Sequence, residues 1–268
     1  MKYKMFISDY DGTLGKAPEN DIDKQTLEAI NKYIEKGGIF VVCSGRETSS
    51  IVRICKENGL KGLVASFQGA RISDIESGEY LFNGGLDYET AVKVLEEVEC
   101  EGLVAVAYLE DSFFYDKRND FVDFYRKAIR LEGTEVNVKQ KILSEKLRTS
   151  KICWLGDDKL VNKVAKRMNE KFGGKGVKFN SGAKNLLEAI NPKHGKGEAV
   201  RFLANYYDIP LNEIIAVGDS TNDIDLLNGE WYGVAVGDGR EELKAVADEI
   251  TVSFSDKPVK TLLEKYCL

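Results

Sequence analysis

Ile39-Phe40-Val41-Val42-Cys43 is a run of five apolar residues with no polar break. A strand with one face in water alternates, so an unbroken run reads as a strand covered on both faces, as in a parallel sheet flanked by helices. The run has company. Met5-Phe6-Ile7 precedes it and Leu63-Val64-Ala65-Ser66 follows it, both read as strands. Between them the spacing predicts a helix over 22–36, with Leu27, Ile30 and Ile34 on one face and Gly37-Gly38 as its stop, and a second helix over 47–58. The order β-α-β-α-β predicts a doubly wound parallel sheet of the α/β class.

That rhythm breaks near residue 70 and returns near 195. Residues 70–82, with Ser77-Gly78 in the middle, read as a β-hairpin, and Asn83-Gly84-Gly85 as a hinge. A helix (87–98), alternating strands (103–117), a helix (119–131), a strand (Lys151 to Leu155), a helix (157–171) and two short strands then follow, which is an α+β pattern. The first rhythm resumes with a helix at 196–206, the strand Ile214-Ile215-Ala216-Val217, a helix at 221–228, a strand at 232–236 and a helix at 240–247. The expected organisation is a core made of 1–82 and 188–268, interrupted by one inserted domain at 83–187. Phe113, Phe114, Tyr115, Phe121, Phe124 and Tyr125 are expected to form the insert's own core. Gly84-Gly85 on the outward crossing and Asn191-Pro192 on the return suit two hinge points.

Three polar clusters follow apolar strands. Asp9 and Asp11 follow the first, Ser44-Gly45-Arg46 the second, and Gly218-Asp219-Ser220-Thr221-Asn222-Asp223 follows Ile214 to Val217. Lys196 opens the helix before that last strand. In a parallel sheet these strand ends share one edge, so the residues converge on one crevice. Two carboxylates held together repel unless a cation or a shared proton intervenes. Asp9 and Asp219 can bind Mg²⁺, a hard cation that takes a few oxygen ligands. The Ser44 hydroxyl, nearby backbone N–H groups and the Lys196 ammonium can hold phosphoryl oxygens. Asp9 can then attack phosphorus, while Asp11 protonates the leaving oxygen and later deprotonates water. Arg46, Lys184 and Asn185 are candidates to face the ligand.

Other chemistries are excluded. A calcium loop needs glycine where Leu14 and Ile224 stand. His194, the one histidine, leaves no Ser-His-Asp triad or histidine-phosphate enzyme and is expected in a loop. Gly237-x-Gly239 has Glu242 where a dinucleotide fingerprint needs its third glycine. A net charge of -6 carries no footprint for nucleic acid or an anionic membrane. No apolar run approaches the roughly 20 residues of a membrane span. Met1-Lys2-Tyr3-Lys4 leads straight into the first strand, so no signal peptide is expected. Five scattered cysteines without a C-x-x-C pair point to reduced thiols, a cytoplasmic setting and no structural zinc.

Asp9-Tyr10-Asp11-Gly12-Thr13, Ser44, Lys196 and Gly218 to Asp223 resemble, in order, the four motifs of the haloacid dehalogenase (HAD) superfamily. The long insert resembles the α/β cap of its Cof-type, class IIB phosphatases. The resemblance implies a HAD-like Rossmannoid core, Asp9 as nucleophile and Asp11 as general acid and base. It implies Mg²⁺ on Asp9, the Asp11 carbonyl and Asp219, with Asp223 or Asn222 in support. Ser44, Gly45, Arg46, Lys196 and Asn222 then face the substrate. Gln68 departs from the asparagine usual at its position, and Gly237-Asp238-Gly239 from the usual Gly-Asn-Ala. Ser253-Phe254-Ser255-Asp256 stands where Asp-Gly-Val is frequent. The expected activity is Mg²⁺-dependent hydrolysis of a small soluble phosphomonoester, foremost a sugar phosphate, through an aspartyl-phosphate. A phosphomutase of the phosphomannomutase type and a non-catalytic phosphosugar-binding regulator are the alternatives. Asp11 favours the phosphatase over a dehalogenase, because a halide leaves without a proton.

Overall fold

The computed structural model describes residues 2–16, 20–98, 102–109, 112–129, 131–181 and 184–268. The chain forms two compact units, one of Met1–Phe82 with Gly195–Leu268 and one of Asn83–His194.

The first unit begins with β1 (Met5–Ser8), α1 (Lys24–Glu35), β2 (Ile39–Cys43), α2 (Thr48–Glu57), β3 (Leu63–Ser66), β4 (Arg71–Asp74) and β5 (Tyr80–Asn83). The second unit comprises α3 (Tyr88–Val98), β6 (Val104–Leu109), β7 (Ser112–Tyr115), α4 (Asp120–Ile129), β8 (Thr134–Glu135) and α5 (Val138–Glu145). It continues with β9 (Thr149–Leu155), α6 (Asp158–Phe172), β10 (Lys178–Asn180) and β11 (Leu186–Ile190). The first unit resumes with α7 (Lys196–Tyr206), β12 (Ile214–Gly218), α8 (Ile224–Leu227), β13 (Tyr232–Ala235), α9 (Glu241–Lys244), β14 (Glu249–Ile250) and α10 (Pro258–Tyr266).

The first unit's sheet has the order β14-β13-β12-β1-β2-β3-β4-β5. β1 lies at its centre, parallel to β2 and β12, with Met5 opposite both Ile39 and Ile214. Every residue of β1 is buried because helices cover both faces. Phe6, Val42, Val64 and Val217 pack with Ile30, Tyr33, Ile51, Ile54, Leu262 and Leu263 on one side. Met5, Ile7, Val41 and Ala216 pack with Val200, Leu203, Leu226 and Leu243 on the other. This is the two-sided burial expected of an unbroken apolar run. From β1 the chain steps outward through β2 and β3. It later returns to the opposite side of β1 as β12. The order therefore reverses at β1, and a ligand crevice belongs at the carboxyl ends there.

Several details differ from the sequence reading. The buried face of α1 is Thr26, Ala29, Ile30 and Tyr33, while Ile34 is 41% exposed. The spacing of Leu27, Ile30 and Ile34 fits a helix and places Leu27 and Ile30 against the core, but the Tyr33 ring, packed against Phe6, takes the third position. The expected hairpin is there, as the neighbouring strands β4 and β5 joined across Ser77-Gly78, but it does not stand alone: β4 also pairs antiparallel with β3, so the hairpin extends the core sheet. The segments at 221–228 and 240–247 hold only short helices, α8 and α9. Helix α10 was not anticipated, although Val259, Leu262 and Leu263 recur at helical spacing behind Pro258.

The second unit is a six-stranded sheet of order β10-β11-β9-β6-β7-β8. The insert was expected to end at 187. The structure carries it to His194, because β11 pairs with both β9 and β10. Its core is built on Trp154, Ile152, Ala105 and Ala107 under α3, α5 and α6. Of the aromatic set, Phe113 and Tyr115 are buried, but Phe124 is 74% exposed and Phe121 lies at the surface as well. Helix α4 buries Val122 instead, so the aromatic run on that helix is no core stripe. Residues 110–111, inside the expected strands at 103–117, and Arg130, inside the expected helix, lie outside the described residues. The side-chain amide of Asn185 donates to the Gly156 carbonyl at 2.8 Å. His194 stands in a short turn, where its Nδ1 accepts from the Gly85 N–H at 2.8 Å. Cys43, Cys55, Cys153 and Cys267 are buried and free, and Cys100 lies outside the described residues.

Candidate active site

β1 ends at Ser8, and its ladder continues one step further through the Asp9 N–H, which donates to the Val217 carbonyl at 2.9 Å. Asp9 is therefore fixed as tightly as a strand residue. The chain then turns sharply, with the Leu14 and Gly15 N–H groups donating to the Tyr10 carbonyl at 3.0 and 2.9 Å. Gly12 has φ +85°, and a Cβ there would lie 2.6 Å from Asp219 Oδ2, so only glycine fits. Thr13 Oγ1 donates to Asp219 Oδ1 at 3.2 Å, which ties the first motif to the fourth.

Lys196 opens α7 and is buried, with Gly195 at the N-cap. Its ammonium is hydrogen-bonded to Asp9 Oδ1 and lies 2.5 Å from Asp223 Oδ1. Asp223 Oδ2 accepts from the N–H groups of Asp219 and Ser220 at 3.1 and 3.0 Å. Both oxygens of Asp223 are thus committed to Lys196 and to the loop that presents Asp219. Asp9, Asp219 and Asp223 bring carboxylate oxygens within 4.8 Å of one another. Three carboxylates facing one ammonium leave surplus negative charge on hard oxygen donors. That donor set suits a divalent cation such as magnesium, with Asp9 and Asp219 as the side chains that would hold it.

Ser44 continues β2, its N–H donating to the Ala65 carbonyl at 2.9 Å, and its Oγ accepts from the Arg46 N–H at 3.2 Å. A Cβ on Gly45 would lie 2.5 Å from Gln68 Nε2. The side chain of Arg46 turns to Asp11: Nε and Nη2 donate to its two oxygens at 2.7 and 2.6 Å. Asp11 itself is exposed, and its carboxylate lies outside the acidic cluster. Asn222 donates to Gln68 Oε1 at 3.1 Å. Gln68 occupies the turn between β3 and β4, where Phe67, Gln68 and Gly69 have φ of +50°, +61° and +91°. Two consecutive non-glycine residues in this region carry real strain. The turn is held by hydrogen bonds from the Phe67 N–H to the Arg46 carbonyl and from the Gln68 N–H to the Ser44 carbonyl.

The profile of the haloacid dehalogenase-like hydrolases matches residues 6–263. The chain belongs to this family. It is 24% identical to phosphatase YwpJ of Bacillus subtilis, over 97% of this chain and 99% of that protein. It is 25% identical to HMP-PP phosphatase of Klebsiella pneumoniae, over 93% and 89% of the two chains. A haloacid dehalogenase-like hydrolase from Bacteroides thetaiotaomicron has the same fold, with a TM-score of 0.83, 24% identity and coverage of 98% and 99%.

The electrostatics of this hydrolase's cluster follow from burial. Burial and the Asp223 carboxylate push Asp9 well above the usual carboxylate range, against the pull of Lys196. Burial, then Asp223, raises Asp219 to about 6. Burial opposes the charge on Lys196, but Asp223 and Asp9 more than offset it and hold the ammonium above the ordinary lysine range. Burial also pushes the Cys43 thiol up to about 12, so it offers no thiolate beside Ser44. The motif residues Asp9, Lys196, Asp219 and Asp223 stand together as one cluster, whereas Asp11 and Arg46 form a separate pair. Thr13 and Gln68 were given no role by the sequence reading. Thr13 stood inside the first motif, and Gln68 was visible only as a departure from the family.

Proposed function

We propose that this hydrolase is a Mg²⁺-dependent phosphomonoesterase of a small phosphate ester, foremost a sugar phosphate, working through an aspartyl-phosphate. The observation that carries the reading is the buried Asp9–Lys196–Asp223 chain beside Asp219. It presents one fixed carboxylate, one fixed ammonium and an excess of negative charge at the carboxyl end of a central parallel strand. The names of the two bacterial phosphatases support the same reaction class.

In this reading an oxygen of Asp9 attacks phosphorus, and the bond to the leaving oxygen breaks while Asp11 gives that oxygen its proton. Asp11, now a carboxylate, takes a proton from water, which cleaves the aspartyl-phosphate and frees phosphate and Asp9. Ser44 and Lys196 hold phosphoryl oxygens throughout. When bound, the cation neutralises phosphate charge and lets the carboxylate approach. A cytoplasmic setting is part of the proposal; no helix among the described residues is long and apolar enough to cross a membrane.

The test is phosphate release from sugar phosphates, nucleotides, cofactor phosphates and phosphopeptides, with Mg²⁺ and with chelator. Release from small esters that stops on chelation is expected. Isomer interconversion of a sugar phosphate without phosphate release would instead select a mutase, and release from phosphopeptides alone would end the small-substrate reading.

Cation linkage gives a second expectation. Asp219 ionises near 6 in the fold, above an unfolded carboxylate. Without a divalent cation its contribution to stability is therefore lost as pH rises through about 6. A cation favours the ionised form, so Mg²⁺ should raise the thermal midpoint more above that pH than below it. Melting curves on both sides of it, with Mg²⁺ and with chelator, check this; an equal shift on both sides speaks against Asp219 as a ligand.

A further inference from the structure

Arg46 was expected to face the ligand, yet its side chain is already engaged on three sides. Nε and Nη2 fork onto Asp11, Nη1 donates to Asn20 Oδ1 at 2.9 Å, and the guanidinium lies 4.9 Å from the centre of the Tyr10 ring. Asn20 is itself a fixed point. It is 8% exposed, in a left-handed conformation with φ +60°. Its carbonyl accepts from Asn58 Nδ2 at 3.2 Å. Asn58 caps the end of α2 and also accepts from the Ile22 N–H at 2.9 Å. The chain Asn58–Asn20–Arg46–Asp11 therefore runs from a rigid helix end to a carboxylate that is otherwise exposed.

We infer that Asn20 is a positioning residue for catalysis: it orients Arg46, and Arg46 orients the Asp11 carboxylate. The inference rests on the reading of Asp11 as general acid and base. A free aspartate at an exposed turn samples several rotamers. A two-pronged guanidinium contact selects one, because its planar fork matches the carboxylate in a single arrangement. A fork on a long, mobile arginine fixes nothing unless the arginine is fixed too. Tyr10 restrains it face-on, and Asn20 restrains it edge-on through the one terminal nitrogen not turned to Asp11. Proton transfer to a leaving oxygen depends on reach to a fraction of an ångström, so loss of the outer anchor reaches the chemistry. This differs from a phosphate-binding role for Arg46, which would strengthen substrate binding whatever the leaving group.

The test uses two probes of similar shape. Benzyl phosphate leaves as an alkoxide and needs a proton, whereas p-nitrophenyl phosphate leaves as a stable phenolate. Asn20→Gly removes the side chain and tolerates the left-handed backbone. It is expected to lower kcat for benzyl phosphate about tenfold and for p-nitrophenyl phosphate less than about twofold, with KM unchanged. In an Asp11→Asn background it should add no further loss, because the two act through one proton. Asn20→Asp keeps the acceptor and should retain the parent's ratio of the two substrates. Should Asn20→Gly not fold, Arg46→Lys, which keeps the charge and loses the fork, is expected to give the same split. Equal losses on both probes, a raised KM with weaker inhibition by inorganic phosphate, or full additivity with Asp11→Asn would overturn the inference while leaving Asp11 in its role. If Asp11→Asn itself shows no selective loss on benzyl phosphate, the general-acid reading fails and the inference goes with it.

Discussion

Asp9→Asn is expected to remain folded and to lose at least about three orders of magnitude in turnover. The substitution keeps size and shape, and the remaining amide oxygen can still accept from Lys196. What it removes is the oxyanion that attacks phosphorus, and no neighbour replaces it. Asp223 has both oxygens committed, and Asp219 Oδ1 accepts from Thr13 Oγ1. Because burial and Asp223 already oppose ionisation of Asp9, the variant should also melt no lower than the parent in chelator. Phosphate release and thermal unfolding of the purified variant measure both effects. Turnover close to the parent's, or a phosphoryl group trapped on another residue, would remove Asp9 as the nucleophile.

Lys196→Met has the second large effect, on stability as well as activity. The side chain fits the space, yet two buried carboxylates lose their shared ammonium. Removing one partner of a buried ionic group typically costs about 3–5 kcal/mol. The loss should depend on pH in a definite direction. Without the ammonium the folded-state value of Asp9, already raised by burial, rises further above that of the unfolded chain, so stability is lost as pH rises through it and regained on acidification. Urea titrations of parent and variant, at acidic and at neutral pH, give the difference directly. A constant difference across that range would mean that the lysine serves packing and not charge.

The central sheet was legible because its signal is local and redundant. Each of Met5-Phe6-Ile7, Ile39 to Cys43 and Ile214 to Val217 is an apolar run that only two-sided burial accommodates. The cluster was legible for a related reason: the residues sit directly after those strands, so the strand register alone brings Asp9 and Asp219 together. Legibility ends where tertiary packing or long side chains decide. In α1 the periodicity places Leu27 and Ile30 against the core, but Tyr33 takes the third position and Ile34 is left exposed. The aromatic run Phe121, Phe124 and Tyr125 reads as core, yet only Tyr125 turns inward, to hydrogen-bond with Tyr108 at 3.0 Å. The partner of Arg46 could not be read from its place after Ser44, because a guanidinium reaches far enough to choose between a ligand, Asp11 and Asn20. Asn20 carried no signal at all: it lies in no motif, and its role exists only through the residues it touches.

The place of β1 in the middle of its sheet has a consequence for how the protein is made. One edge of that strand stays bare until Ile214 to Val217 leave the ribosome, because those residues are its partners. The second unit needs nothing beyond His194 to complete its sheet. Synthesis therefore delivers the inserted unit ready to fold while the older, N-terminal segment still waits with an apolar strand open on one side. A nascent chain arrested so that His194 has left the ribosome and Ile214 has not should already protect the insert from protease and leave β1 exposed to chaperones.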